Sequence, residues 1–297
     1  MKTKKILKTL CAALALTMGL CGLASCGGKQ NDGNDGFGDK QISVVAREDG
    51  SGTKSAFMEI IGLKGKSDVS GVIISASTAA VLTEVKGNPY AIAYESLGYV
   101  TDEVKILKVD GVEPTVENIK NGTYKIARPL SIVYKEATVA DGAQKAFFEY
   151  LQSADAQTII SGKGYVSTKE NPAAYTIQSG LSGEITVSGS TSLQPLMLEL
   201  AAEFMKLQSG VTVQVSGGGS GTGYKNAEGG VSDFGMISEA FNKEKAASCV
   251  SYEVAKDGIA VIVNKKNPLD SISLDVLKNI YDVDAGDAAV KTWSQVK

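Results

Sequence analysis

The chain has 297 residues, 43% of them hydrophobic, and a net charge of −3. That length allows two buried cores. Lys2, Lys4, Lys5 and Lys8 supply four positive charges, which leaves −7 on the remainder and excludes the basic face of a nucleic-acid binder. The chain has no histidine, which removes Ser-His-Asp and Cys-His catalysis and the common zinc sites.

Residues 1–25 have a basic start, an uncharged stretch from residue 9 and small residues before Cys26, the pattern of an export signal. The ending Leu23-Ala24-Ser25-Cys26 resembles the lipobox of bacterial lipoproteins, in which the cysteine is lipidated. It implies a membrane anchor on Cys26 and a location on the outer face of the cytoplasmic membrane. Residues 26–40 are rich in glycine and asparagine and read as a flexible tether. Cys11 and Cys21 leave with the signal and Cys26 becomes the anchor. Cys249 is then left alone as a small apolar residue, so no internal disulfide is expected.

From residue 42 onward short β-branched runs alternate with helical patterns. Strands are expected at 42–46, 72–74, 90–94 and 132–134, and helices at 54–63, 78–86, 115–120 and 143–153. A connector at 166–183 precedes a second series. In it, Pro195 suits the first turn of a helix whose inner face is Leu196, Leu200, Phe204 and Leu207. Strands follow at 211–215, 233–236 and 259–264, and Ser273 caps a helix that runs to Tyr281. This alternation predicts an α/β fold with mainly parallel sheets flanked by helices, with ligands at the carboxyl ends of the strands.

Three glycine-serine-threonine clusters fall where a strand gives way to a helix: Arg47-Glu48-Asp49-Gly50-Ser51-Gly52-Thr53, Gly189-Ser190-Thr191-Ser192 and Gly217-Gly218-Gly219-Ser220-Gly221-Thr222. A helix start offers unpaired backbone N–H groups and a partial positive charge, and small residues let an anion approach them. One such cluster alone reads as a turn. Three of them, with one of the chain's two arginines inside the first, point to an oxyanion held from several sides. Arg128 reads as structural, paired to a carboxylate, and Tyr90, Tyr94 and Tyr99 as core or rim.

At these residues the chain resembles the phosphate-binding proteins that feed ABC importers. That family usually opens on Gly-Ser-Thr-Ser-x-x-Pro, followed by Gly-Gly-Gly-Ser, Asp-Ile-Gly and an apolar strand that ends in asparagine. These are matched by Gly189 to Pro195, Gly217 to Ser220, Asp233-Phe234-Gly235 and Asp257 to Asn264. The family continues with Arg-Glu-Asp-Gly-Ser-Gly-Thr and Tyr-x-Ser-Leu-Gly-Tyr, which here stand ahead of the supposed start, at 47–53 and 94–99. The chain therefore resembles a circular permutant, with the old termini joined through 166–183 and the new ones cut after Trp293 and before Ile42. Such a cut falls between elements, where permutation is best tolerated.

The resemblance implies a two-lobed periplasmic-binding-protein fold of type II with the ligand in the interlobe cleft. One lobe would be 41–112 plus 257–297 and the other 113–256. It implies a monomeric carrier of inorganic phosphate that delivers to ABC permease subunits, with no cofactor and no metal. The ligand-binding residues would be Arg47, Ser51, Gly52 and Thr53 from one lobe and Thr191, Ser192, Ser220 and Ser238 from the other, with Asp49 orienting Arg47. Some family members carry an aspartate at the position of Ser238, where it accepts the phosphate proton and repels sulfate. Ser238 has no charge for that task, so oxyanion binding is better supported than phosphate selectivity, and Glu239 is an alternative acceptor.

Other readings differ in class. Ser51 and Lys54 match the Ser-x-x-Lys of penicillin-recognising hydrolases, but no Lys-Thr-Gly follows. A nucleotide-binding loop around Gly65-Lys66-Ser67 lacks its first glycine, since Ile60 stands there. A binder of sulfate or molybdate, a phosphatase or a sensing lipoprotein would use the same scaffold.

Overall fold

The computed structural model describes residues 36–296; the export signal, Cys26 and most of the expected tether lie outside the described residues. The first series contains β1 (Ser43–Arg47), α1 (Gly52–Ile60), β2 (Ile73–Ser75), α2 (Thr78–Gly87), β3 (Ala91–Ser96), β4 (Lys105–Val109) and α3 (Val116–Lys120). Strands β2, β1 and β3 lie side by side and parallel. Helix starts are fixed by side chains: Ser51 caps α1, Ser77 caps α2 and Thr115 caps α3, each accepting from a backbone N–H three residues on.

The second series contains β5 (Ala127–Tyr134), α4 (Gly142–Leu151), α5 (Ala154–Gly162), β6 (Val166–Ser167), β7 (Gly183–Gly189), α6 (Gln194–Leu207), β8 (Val211–Ser216), α7 (Ser220–Gly229) and β9 (Phe234–Ile237). Strands β8, β7 and β9 repeat the parallel arrangement of β2, β1 and β3. The chain then returns through β10 (Val250–Val263) to β11 (Ser271–Ile272) and α8 (Leu274–Tyr281), capped by Ser273 as expected.

Strand β10 joins the two halves. Its first part runs antiparallel to β5, and its second part runs antiparallel to β3 and β4. The sequence shows only the second part, because 259–263 is continuously apolar, whereas polar residues interrupt 250–258. Strand β4 and helix α5 are also absent from the sequence-based expectation. Polar residues interrupt both segments, and each buries only a few side chains: Leu107 and Val109 in β4, Ala156, Gln157 and Ile160 in α5.

Two main cores flank this crossover. One gathers Phe57, Leu63, Ile92, Tyr94, Leu107, Ile259, Leu277 and Trp293, and the other Leu130, Phe147, Tyr150, Ile185, Leu200, Phe204 and Phe234. Ile119, Tyr124 and Ile126 belong to the first core, although a lobe boundary at residue 112 would assign them to the second. The apolar face of α3 follows the sheet it packs on, so the exchange between cores comes after Ile126. Cys249 is buried with Val133, Tyr224 and Ile237. The two ends of the folded region lie together: the Ile42 N–H donates to the Lys291 carbonyl (2.8 Å), and the rings of Phe37 and Trp293 are 5.7 Å apart.

Candidate functional site

The carboxyl ends of the two parallel sheets face each other, and each strand there hands over to a helix start. β1 ends on Arg47, a tight turn closes from the Ser51 N–H to the Glu48 carbonyl (3.2 Å), and α1 begins. Gly50 makes that turn possible with a φ of 84°, a conformation that costs side-chain-bearing residues. Across the cleft, β7 leads through Ser190 and Thr191 to α6, and β8 leads through Gly219 to α7. The first amides of these helices have no acceptor within the helix.

The side chains named from the sequence converge. Arg47 Nη2 donates to Thr191 Oγ1 (3.1 Å), and Thr53 Oγ1 lies 2.9 Å from Ser192 Oγ. Ser220 Oγ accepts from the Ser238 N–H (3.0 Å) and lies 3.3 Å from Ser238 Oγ. Gly52 sits against this pair: a Cβ on it would come within 2.3 Å of Ser220 Oγ and 2.8 Å of Ser238 Oγ. Backbone also meets across the cleft, where the Gly221 N–H donates to the Gly50 carbonyl (2.9 Å). Arg47, Ser51, Thr53, Ser192, Ser220 and Ser238 are all buried.

Two expectations are corrected. Asp49 does not orient Arg47; its exposed carboxylate pairs with Lys54 Nζ (2.7 Å), because the turn at Gly50 carries it outward. The guanidinium is instead held by the Ser75 carbonyl on Nε (3.2 Å) and the Ala76 carbonyl on Nη2 (3.4 Å). Ser51 also caps α1, where its Oγ accepts from the Lys54 N–H and its own O–H stays free to donate. Glu239 is turned to Lys245 Nζ (2.7 Å) and so is not the acceptor at Ser238. The aspartate of the Asp233-Phe234-Gly235 motif is also structural, accepting from the N–H and hydroxyl of Thr186 and so tying β9 to β7.

Two site residues escaped the sequence reading. Thr78 Oγ1 accepts from Arg47 Nη1 (3.4 Å) and lies 3.2 Å from Thr191 Oγ1 and 3.3 Å from Ser192 Oγ. Its signal was a fourth junction of the same kind, β2 followed by Ser75-Ala76-Ser77-Thr78 and α2, in which no glycine marks the turn. Glu95 lies at the end of β3, fully buried, with Oε2 3.6 Å from Arg47 Nη1. Its signal was an acid closing the apolar run 91–94. Burial pushes its carboxyl above the usual glutamate range, and the Arg47 charge opposes that shift.

Beneath the cleft, Arg128 on β5 pairs with Asp257 on β10, Nη2 to Oδ2 at 3.1 Å, and both are buried. Arg128 Nη1 also donates to the Ser238 carbonyl (3.1 Å), so this pair braces the loop after β9. Arg128 is thus paired to a carboxylate, as the sequence reading expects. Tyr94 is core: its ring stacks on Phe57 at 4.0 Å, and its hydroxyl accepts from the Arg47 N–H (3.2 Å). Among the described residues no cluster of His, Cys, Asp and Glu could hold a metal ion, and no helix is long and apolar enough to cross a membrane.

The chain matches the PBP superfamily domain over residues 4–155 and 173–297. It is 36% identical over 290 residues to the phosphate-binding protein PstS 2 of Streptococcus agalactiae, an alignment that covers 95% of this chain and 96% of the relative. A crystal structure of a phosphate-binding protein of a phosphate ABC transporter from Streptococcus pneumoniae superposes with a TM-score of 0.69 at 32% identity, covering 87% of this chain and all of that one. The phosphate-binding protein PstS of Bacillus subtilis aligns at 34% identity over 139 residues, only 46% of this chain and 44% of the relative. Two lobes of matching topology, helix starts that converge from both and streptococcal relatives alike over nearly their full length agree: the chain belongs to the PstS-type phosphate-binding protein family of the PBP superfamily, with a type II periplasmic-binding-protein fold.

Proposed function

We propose that the chain captures inorganic phosphate between its lobes and delivers it to the permease of an ABC importer. The observation that carries this reading is the meeting of Arg47 and Thr53 with Thr191 and Ser192 across the cleft. A guanidinium, several hydroxyls and the amides of three helix starts make a donor-rich cage for a small tetrahedral anion. Each charge-assisted hydrogen bond contributes about 1.5–3 kcal/mol. Micromolar capture needs about 8 kcal/mol. A handful of these donors suffices after the ion is desolvated.

The ligand set is Arg47, Ser51, Gly52, Thr53, Thr191, Ser192, Ser220 and Ser238, joined by Thr78; Ser51 also caps α1. The protein acts as a carrier rather than an enzyme, as its streptococcal relatives are named for binding. Cys26 is the proposed lipid attachment point, which would tether the protein outside the cytoplasmic membrane beside its permease. The chain also carries its halves in reversed order relative to family members such as the Bacillus subtilis protein. Two observations support this: the folded ends lie side by side at Ile42 and Lys291, and that relative aligns with only about half of the chain. The Streptococcus agalactiae relative aligns along nearly its whole length, which suits a shared order.

Calorimetric titration of the protein with phosphate tests the reading. Arg47→Ala should weaken binding at least tenfold, a loss of about 1.4 kcal/mol or more. Unchanged affinity would remove the arginine from the ligand set.

A further inference from the structure

The cleft contains one feature that a pure donor cage does not need. Arg47, Thr53, Thr78, Thr191, Ser192, Ser220 and Ser238 present guanidinium or hydroxyl groups, whereas Glu95 brings a carboxylate into the same cluster. One of its oxygens, Oε1, accepts from the Ser96 N–H (2.8 Å) and has a long contact with Ser192 Oγ (3.5 Å). The other, Oε2, is fully buried and has no hydrogen-bond partner; Arg47 Nη1 is 3.6 Å away, beyond bonding distance. A buried carboxylate oxygen without a donor is costly, so a donor that arrives with the ligand gains the full benefit of satisfying it.

The other carboxylates around the cleft are committed elsewhere. Asp49 faces solvent on Lys54, Glu239 is held by Lys245 and Asp257 by Arg128. Ser238 supplies only a hydroxyl. Glu95 is therefore the one carboxylate among the described residues that meets the converging hydroxyls with an oxygen free.

We propose that Glu95 determines which oxyanion the cleft accepts: Oε2 takes a hydrogen bond from a protonated tetrahedral ion, such as hydrogen phosphate or hydrogen arsenate, and turns away one of equal shape and charge that has no proton, such as sulfate. The inference rests on the oxyanion reading of the cleft and adds its selectivity. A protonated ligand donates to Oε2, whereas an unprotonated one places lone pairs against it in a site closed to water, where like charges repel strongly. The charged and titratable groups that face Glu95 are Arg47 from β1, Arg128 from β5, Asp257 from β10, Tyr165 ahead of β6 and Tyr94 on its own strand. Burial raises both tyrosines further above their ordinary range, so they stay neutral.

The test is calorimetric titration of the full-length protein with phosphate and with sulfate, above the second ionisation of phosphate, where the two ions differ by a single proton. The wild type should prefer phosphate by at least about a hundredfold, or about 2.7 kcal/mol. In Glu95→Gln the amide can donate as well as accept, so that preference should shrink by at least about tenfold, or about 1.4 kcal/mol. The wild type alone gives a second readout. Sulfate can enter only if Glu95 takes a proton from solvent, so sulfate binding should strengthen about tenfold per pH unit lowered, while phosphate binding stays level as long as it remains a dianion.

An unchanged preference in Glu95→Gln, or a flat sulfate profile in the wild type, overturns the assignment. So does equal binding of both ions by the wild type, although the oxyanion site itself would then stand. Binding of neither ion overturns both.

Discussion

At the scale of single residues, the cleft depends on what is small as much as on what is charged. Gly52 occupies the first helical position of α1, where alanine would ordinarily add helix stability of up to about 1 kcal/mol. A methyl group there would collide with Ser220 and Ser238 of the opposite lobe. Gly52→Ala should therefore weaken phosphate binding at least about tenfold (about 1.4 kcal/mol). The melting temperature of the ligand-free protein should hold or rise, because the clash exists only when the lobes meet. Calorimetry and thermal melts on the same preparation separate the two effects, and a parallel loss of both would show that the methyl disrupts α1 itself.

At the scale of elements, the pairing of β5 with β10 forms the connection between the lobes. Asp257 stands opposite Arg128 in that register, and Gly258 opposite Ala127. Both crossings of the chain thus pass at one place, fixed by an ion pair with almost no access to solvent. Removing one partner strands the other charge. Asp257→Ala should cost about 3–5 kcal/mol of unfolding free energy in urea titrations. It should also loosen the loop after β9, because Arg128 fixes the Ser238 carbonyl. A loss below about 1 kcal/mol would mean that water or another group compensates the arginine.

At the scale of the whole molecule, the proposed reversal of the halves makes a physical prediction. Folding free energy depends on which contacts form, and breaking the chain at one exposed loop while joining it at another leaves those contacts intact. The ends near Ile42 and Lys291 are close enough for a short linker, and residues 168–182 run without a helix or strand between β6 and β7. A gene that joins these ends and opens within 168–182 should yield a folded protein whose phosphate affinity stays within about threefold of the original, or about 0.7 kcal/mol. A much weaker or unfolded product would show that the present order supplies something the usual order lacks.

Much of this organisation was legible in the sequence, because periodicity and turn chemistry act over a few residues. The β-branched runs, the caps at Thr115 and Ser273 and the small-residue clusters at helix starts located most elements and most of the side chains that converge in the cleft. The assignments that failed depend on distant partners. Asp49 lies two residues from Arg47 in sequence, yet the turn at Gly50 directs it to Lys54. Glu95 and Thr78 carry no local mark of function and matter only because β3 and α2 bring them beside Arg47. The first part of β10 looks too polar for a central strand until β5 is seen to pair with it. The sequence alone thus determined where the small-residue helix starts form. Only the tertiary structure decided which side chains share the cleft, because burial and the partner of each buried polar atom are properties of the packed whole.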